Sequence, residues 1–215
     1  MAIRENPTLT NKHTGYLARS GYGKSQALKQ NPDLPRRGVR TLLWDPGHDH
    51  AAQRFTDQRS YKAAVKSAMA SCQGFRLAWC GEQSVPVFEW WCRLAWICLD
   101  GQQPLYLVIE ELAAVQPSAG AAPPAFGMLV NQSRKYAGVI HWTTQRSAEI
   151  SKTVLDQTEN FYIGRPGRMA TRQNIDQLAR VAECRPEDLQ ALQPLQFYRG
   201  SSHDVRLVKL KYKKI

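Results

Sequence analysis

The sequence holds little that an extracellular or metal-stapled fold would need. Its five cysteines, Cys72, Cys80, Cys92, Cys98 and Cys184, form an odd set with no Cys-x-x-Cys pair. That pattern suggests neither a disulfide framework nor a zinc-ribbon site, and reduced thiols are expected. Residues Met1 to Pro7 lack the apolar stretch of a signal peptide. The most apolar segment, Val85 to Leu99, is interrupted by Glu89 and Arg93 and is too short to cross a bilayer. The chain is therefore expected to be soluble and to reach a membrane only through partners. Acids are scarce too, with 18 Asp and Glu against 29 Lys and Arg and a formal net charge of +11. That sign suits a polyanion such as nucleic acid, because Lys and Arg replace counterions along a phosphate backbone.

What is present is an ordinary globular composition: 215 residues, 43% hydrophobic, with six tryptophans. That is enough to fill one core, so residues 1–215 are expected to form a single domain. Strands are expected to end at Tyr16-Leu17-Ala18 and to run over Val39 to Trp44, Phe75 to Trp79, Leu105 to Ile109, Val139 to Thr143 and Phe161 to Ile163. Helices are expected over Lys24 to Gln30, Tyr61 to Cys72, Val85 to Leu99, Phe126 to Tyr136, Ile150 to Leu155, Thr171 to Ala182 and Pro186 to Leu192. The continuous apolar run of Leu105 to Ile109 is that of a central parallel strand covered on both faces. Val115 to Pro124 is a loop of small residues, and the tail from Leu195 to Ile215 alternates like a strand or hairpin ending in a basic cluster. Strands alternating with helices give an α/β fold with a mainly parallel sheet flanked by helices, plus a C-terminal β extension.

Three groups of residues carry chemistry. Ala18-Arg19-Ser20-Gly21-Tyr22-Gly23-Lys24-Ser25 follows an apolar strand and opens a helix. It fits the phosphate-binding loop G-x-x-x-x-G-K-[ST] with Ala18 at the first glycine position. Glycines at 21 and 23 let backbone N–H groups curl inward, and the helix start, with Gln26 in its first turn, adds a positive dipole end. Lys24 would reach the β- and γ-phosphates of ATP, and the Ser25 hydroxyl would hold Mg2+. The second group is Leu107-Val108-Ile109-Glu110-Glu111, an apolar strand running into paired acids. One acid is expected to hold Mg2+ through water and the other to polarise the attacking water; Glu110 for the metal and Glu111 for the water is the first assignment, and the two can exchange roles. The third is Arg134 to Arg146, in which Thr144-Gln145 ends an apolar strand and places an amide beside the γ-phosphate.

An Arg, then a glycine-led apolar strand, then Thr-Gln-Arg resembles the HerA/FtsK superfamily of DNA-pumping P-loop ATPases. Leu42 to Pro46, with Asp45 closing the second strand, also matches a feature that recurs there. The resemblance implies that Arg134 acts in trans, as a finger in the neighbouring subunit's site; Arg146, Arg165 and Arg168 are rivals. A bare, basic catalytic domain of this size is similar to the genome-packaging ATPases of membrane-containing, tectivirus-like and corticovirus-like phages. The resemblance therefore implies a homo-oligomeric, hexameric ring that hydrolyses ATP with Mg2+ and drives double-stranded DNA. Capsid-vertex or viral membrane proteins would dock it, in the host cytoplasm and at the virion vertex. Filamentous-phage export ATPases of the Zot-like group, conjugative DNA-transfer ATPases and small P-loop kinases are the alternatives. Arg36, Arg37, Arg40, Lys209, Lys211, Lys213 and Lys214 are nominated as phosphate contacts of the DNA.

Overall fold

The apolar runs become the inner strands of a nine-stranded sheet in a computed structural model that describes residues 2–116, 120–201 and 204–214. The strands are β1 (Thr14–Leu17), β2 (Arg40–Trp44), β3 (Gln53–Phe55), β4 (Phe75–Trp79), β5 (Leu105–Ile109), β6 (Gly138–Thr144), β7 (Asn160–Ile163), β8 (Gln196–Ser201) and β9 (Asp204–Lys209). Their order across the sheet is β3-β4-β2-β5-β6-β1-β7-β8-β9. All pairings from β3 to β7 are parallel, and the β7–β8 and β8–β9 pairings are antiparallel. The alternating tail is therefore a hairpin that extends the sheet edge. Pro117, Ser118 and Ala119 of the expected small-residue loop lie outside the described residues.

The helices are α1 (Lys24–Gln30), α2 (Gln58–Ala70), α3 (Val85–Ile97), α4 (Pro124–Gln132), α5 (Lys152–Asp156), α6 (Arg172–Val181) and α7 (Pro186–Ala191). Helix α2 begins before Tyr61 because the Asp57 carboxylate accepts the Ser60 N–H at 2.8 Å and caps it. Helix α4 stops at Gln132, and Ser133–Tyr136 tightens into a 3-10 turn that ends on Ala137 at φ 59°. Strand β3 was invisible in the sequence: Gln53-Arg54-Phe55 has a single apolar residue, lies at the sheet edge and is tied in by Cys80 N–H donating to the Phe55 carbonyl at 2.8 Å.

The sheet is covered unequally. One face carries the larger core, where α2 to α7 pack and Trp44, Trp79, Phe88 and Trp91 interlock at ring separations from 5.0 to 6.4 Å. The other face carries a smaller cluster built on Tyr16, Leu43, Ala78, Val108 and Tyr162, to which α1 contributes Ala27 and Leu28. Arg40 does not serve as a surface cation. It is buried in a two-point pair with Asp100 (2.6 and 3.3 Å) and donates to the Gln103 carbonyl, because β2 carries it beneath the 100–104 turn. Although burial alone would raise it, these bonds hold the Asp100 pKa down to about 2. The described residues contain no helix long and apolar enough to cross a membrane.

Candidate nucleotide site

The phosphate loop hangs between the carboxyl ends of three strands. Arg19 N–H donates to the Arg165 carbonyl at 2.9 Å, Gly164 N–H to Leu17 at 2.7 Å and Ala18 N–H to Thr144 at 3.4 Å. Ala18 fits where a glycine is usual because it packs against Gly164, at which any side chain would lie 2.9 Å from the Ala18 methyl. Gly23 caps α1 at φ +90°, and a Cβ there would also meet the Leu195 side chain at 2.5 Å. Beyond it the N–H groups of Lys24, Ser25 and Gln26 lie in the first helical turn, where no intrahelical acceptor exists. Ser20 and Gly21 are exposed at the tip, and the Arg19 guanidinium stacks 4.0 Å over the Tyr22 ring. The Gln26 side chain turns away: it accepts Lys213 N–H at 3.0 Å and donates to the Lys213 carbonyl at 2.9 Å.

Lys24 folds back on its own loop, its Nζ donating to the Ala18 carbonyl at 2.9 Å and to the Arg19 carbonyl at 3.5 Å. Burial lowers its pKa, opposed by the charges of Glu111, Glu110 and Asp49. An incoming phosphate would replace these two carbonyl partners with a stronger, charge-assisted one.

Glu110 closes β5 at the same end of the sheet. Its Oε1 lies 2.6 Å from His50 Nε2, and its Oε2 accepts the Thr143 hydroxyl at 2.6 Å. Burial would raise its pKa, but His50, Thr143 and Lys24 together hold it below the usual carboxylate range, so it stays ionised. The Thr143 hydroxyl also accepts the Glu111 N–H at 2.9 Å, joining the two acids through one side chain. Glu111 adopts the left-handed conformation at φ 50°, uncommon for a residue with a Cβ. That turn carries its carboxylate to the end of β6, where Oε1 accepts Gln145 N–H at 3.1 Å. Asp45, buried at the end of β2, accepts the N–H groups of Asp49 and His50 at 2.8 and 3.0 Å and so folds His50 toward Glu110.

Neither His50 nor the bridging role of Thr143 was legible in the sequence. The signal for His50 was indirect: an acid closing β2 and a short polar loop after it. The oxygen-only donor set of Ser25 and Glu110, beside Lys24, fits a hard cation such as Mg2+ that keeps much of its water shell. Gln145 is exposed at the carboxyl end of β6, next to Glu111. The arginines divide by position. Arg165 and Arg168 line a cavity of about 290 Å³ with Arg19, beside this subunit's own loop. Arg146 pairs with Glu149 at 3.1 Å. Arg134 donates to the Leu9 carbonyl at 2.9 Å before the amino end of β6, roughly 20 Å from the site by strand rise. That distance exceeds the reach of its side chain to the phosphate loop of the same chain.

The chain resembles known proteins. Protein P9 of Pseudoalteromonas phage PM2 is 30% identical over 161 residues, covering 75% of this chain and 72% of that protein. The genome packaging NTPase B204 of Sulfolobus turreted icosahedral virus 2, solved with AMPPCP, matches with a TM-score of 0.71 at 14% identity, over 93% of this chain and 97% of that one. VirB4 of Thermoanaerobacter pseudethanolicus matches with a TM-score of 0.61 at 11% identity, over 95% and 91%. At these identities the two structures speak for the fold. No protein-family model matches the chain.

Proposed function

The chain belongs to the family of protein P9 of Pseudoalteromonas phage PM2 and has the fold of the HerA/FtsK-type P-loop ATPases, and from this we propose that it hydrolyses ATP to pump double-stranded DNA into a membrane-containing viral capsid. The observation that carries the catalytic part is the Glu110–Thr143–Glu111 arrangement, whose two acids both act by charge on Lys24 of the phosphate loop. A loop alone binds nucleotide; two differently supported carboxylates beside it make a hydrolytic site.

The surroundings support a division of roles. Both oxygens of Glu110 are already engaged and its charge is held, which suits a fixed anion acting through the water shell of a Mg2+ that the Ser25 hydroxyl would also hold. Mg2+, when bound, neutralises charge on the phosphate oxygens. Glu111 is less buried and is aimed by its left-handed backbone, which suits it to accept a proton from the attacking water. Gln145 follows the strand end and would orient that water or sense the γ-phosphate. Arg134, on the far side of its own subunit, would complete the site of the next copy, so the active form is a homo-oligomeric ring, read as a hexamer. Capsid-vertex or viral membrane proteins would anchor it, which places the motor in the host cytoplasm and at the virion vertex.

The experiment is an ATPase assay with and without duplex DNA. The wild type should turn over ATP faster with DNA, Lys24→Ala should lose hydrolysis, and Glu111→Gln should bind ATP without splitting it. Mixing inactive Lys24→Ala with inactive Arg134→Ala subunits should restore some turnover, since intact half-sites then meet. Activity in Lys24→Ala would overturn the ATPase reading, and full activity in Arg134→Ala would overturn the finger. The likeness to VirB4 supports DNA transfer as a second reading; empty capsids on loss of the gene would decide for packaging.

A further inference from the structure

The unequal cover of the sheet leaves a groove on the α1 side. Segment 31–39 crosses that face and bounds a cavity of about 700 Å³ whose walls include Lys29, Leu34, Arg36, Arg37, Arg76 and His50. A second cavity of about 280 Å³ shares Lys29, Leu34 and Arg36 and extends the groove to Lys213. Among the described residues no acidic side chain lines either one. Among them, too, no ion pair involves Lys29, Arg36, Arg37 or Arg76, and the nearby Asp33 is taken by Arg199 at 3.2 Å. The cations also crowd one another: after burial, the charge of Arg36 is the next cause lowering the pKa of Arg76. Arg76 feels the charge of the buried Asp45 and donates to the Ala51 carbonyl at 3.1 Å, but no acid lines the concavity that the four cations face, which suits a ligand carrying several phosphates at spacing.

We infer that this groove binds the phosphodiester backbone of double-stranded nucleic acid, with Lys29, Arg36, Arg37 and Arg76 as its contacts. The inference rests on the DNA-motor reading and gives that motor a grip. A duplex is favoured over a single strand because, among the described residues, no Phe, Tyr or Trp lines the groove to stack on bared bases. A sequence-blind grip is what backbone contacts supply. The groove also touches the nucleotide site. His50 forms part of its wall, and the Nε2 of the same ring lies 2.6 Å from Glu110. Occupancy of the groove is therefore one side chain away from the ATP-site acid.

The test compares Arg36→Gln/Arg37→Gln with Lys62→Gln/Lys66→Gln, which removes equal charge from the exposed side of α2 on the opposite face of the sheet. Binding of a fluorescent 30-base-pair duplex and of a single strand of equal length is followed by anisotropy across a salt series. The groove variant should bind the duplex roughly tenfold or more weakly, with the log–log salt slope reduced by about two, one for each phosphate no longer neutralised. The α2 variant should change little, and thermal unfolding should show both variants folded. Equal loss in the two variants, or none in the groove variant, overturns the groove. Single strands bound as tightly as the duplex overturn the duplex assignment. If the groove variant weakens binding as stated but duplex DNA leaves wild-type ATP turnover unchanged, the motor reading fails and the groove stands; a wild type that binds no duplex overturns both.

Discussion

His50 Nε2 lies 2.6 Å from Glu110 Oε1, and both side chains are buried. The contact joins the loop after β2 to the end of β5, and Asp45 makes it possible by accepting two backbone N–H groups of that loop. A carboxylate supported in this way keeps its charge and its direction, which a metal-holding acid beside a phosphate loop requires.

Replacing His50 by Ala should leave the fold and cut ATP turnover by about 10- to 100-fold, the usual cost of losing a partner that orients a metal-binding group. The Mg2+ concentration giving half-maximal activity should rise as well. Steady-state kinetics over a Mg2+ series measures both, and unchanged Mg2+ dependence would show that His50 does not act through Glu110.

Thr143→Val should weaken both acids, because the hydroxyl that donates to Glu110 also accepts the Glu111 N–H. The unpaired groups are expected to cost about 1–3 kcal/mol of stability. Thr143→Ser keeps the hydroxyl and should retain most of the activity. Denaturant unfolding and kcat for the two variants check the pair.

Gly23→Ala should abolish nucleotide binding and destabilise the chain by more than about 1 kcal/mol. Two causes act there, the positive φ and the close approach of Leu195. The double change Gly23→Ala/Leu195→Ala removes the second cause alone, so nucleotide binding should remain abolished. Titration with a fluorescent ATP analogue reads the outcome.

Arg40→Ala should unfold the chain more easily, by about 1–3 kcal/mol, since it removes the bonds to Asp100 and the Gln103 carbonyl while the Gln102 and Gln103 N–H groups stay on Asp100. Duplex binding per folded molecule should be unchanged. An effect confined to DNA affinity would make Arg40 a phosphate contact after all.

Stability should fall as the solution is acidified from pH 6.5 toward 4. Burial lowers the pKa of His13 to about 4, and burial with the charge of His13 lowers that of His141 to about 3. The unfolded chain binds these protons from about pH 6.5 downward while the folded chain resists them, so their contribution is complete above 6.5 and lost below it. Each histidine should account for on the order of 3 kcal/mol between pH 7 and 3. Urea unfolding over this range measures the slope, and His13→Asn should flatten it.

Much of this was legible in the sequence because it is local. Gly21, Gly23, Lys24 and Ser25 are adjacent in the chain, and a strand–loop–helix unit carries its own geometry through glycine freedom and helix start. The continuous apolar run of Leu105 to Ile109 marked an inner parallel strand, and the paired acids after it marked a strand end. The strand over Gln53–Phe55 was not legible, since an edge strand needs no apolar pattern when only one side is paired.

What only the tertiary structure decided is which distant groups meet. The two glutamates look alike in sequence, yet Thr143 and His50 reach them from β6 and the loop after β2 and make their surroundings different. Arg36, Arg37 and Arg40 form one basic run, yet strand pairing buries Arg40 on Asp100 while Arg36 and Arg37 stay in an open groove beside Arg76. The sequence alone determined the phosphate loop at residues 18–25, the acids and the excess of positive charge. Their division of labour came from the strand order, because charge and hydrogen bonding act through space and the register sets those distances.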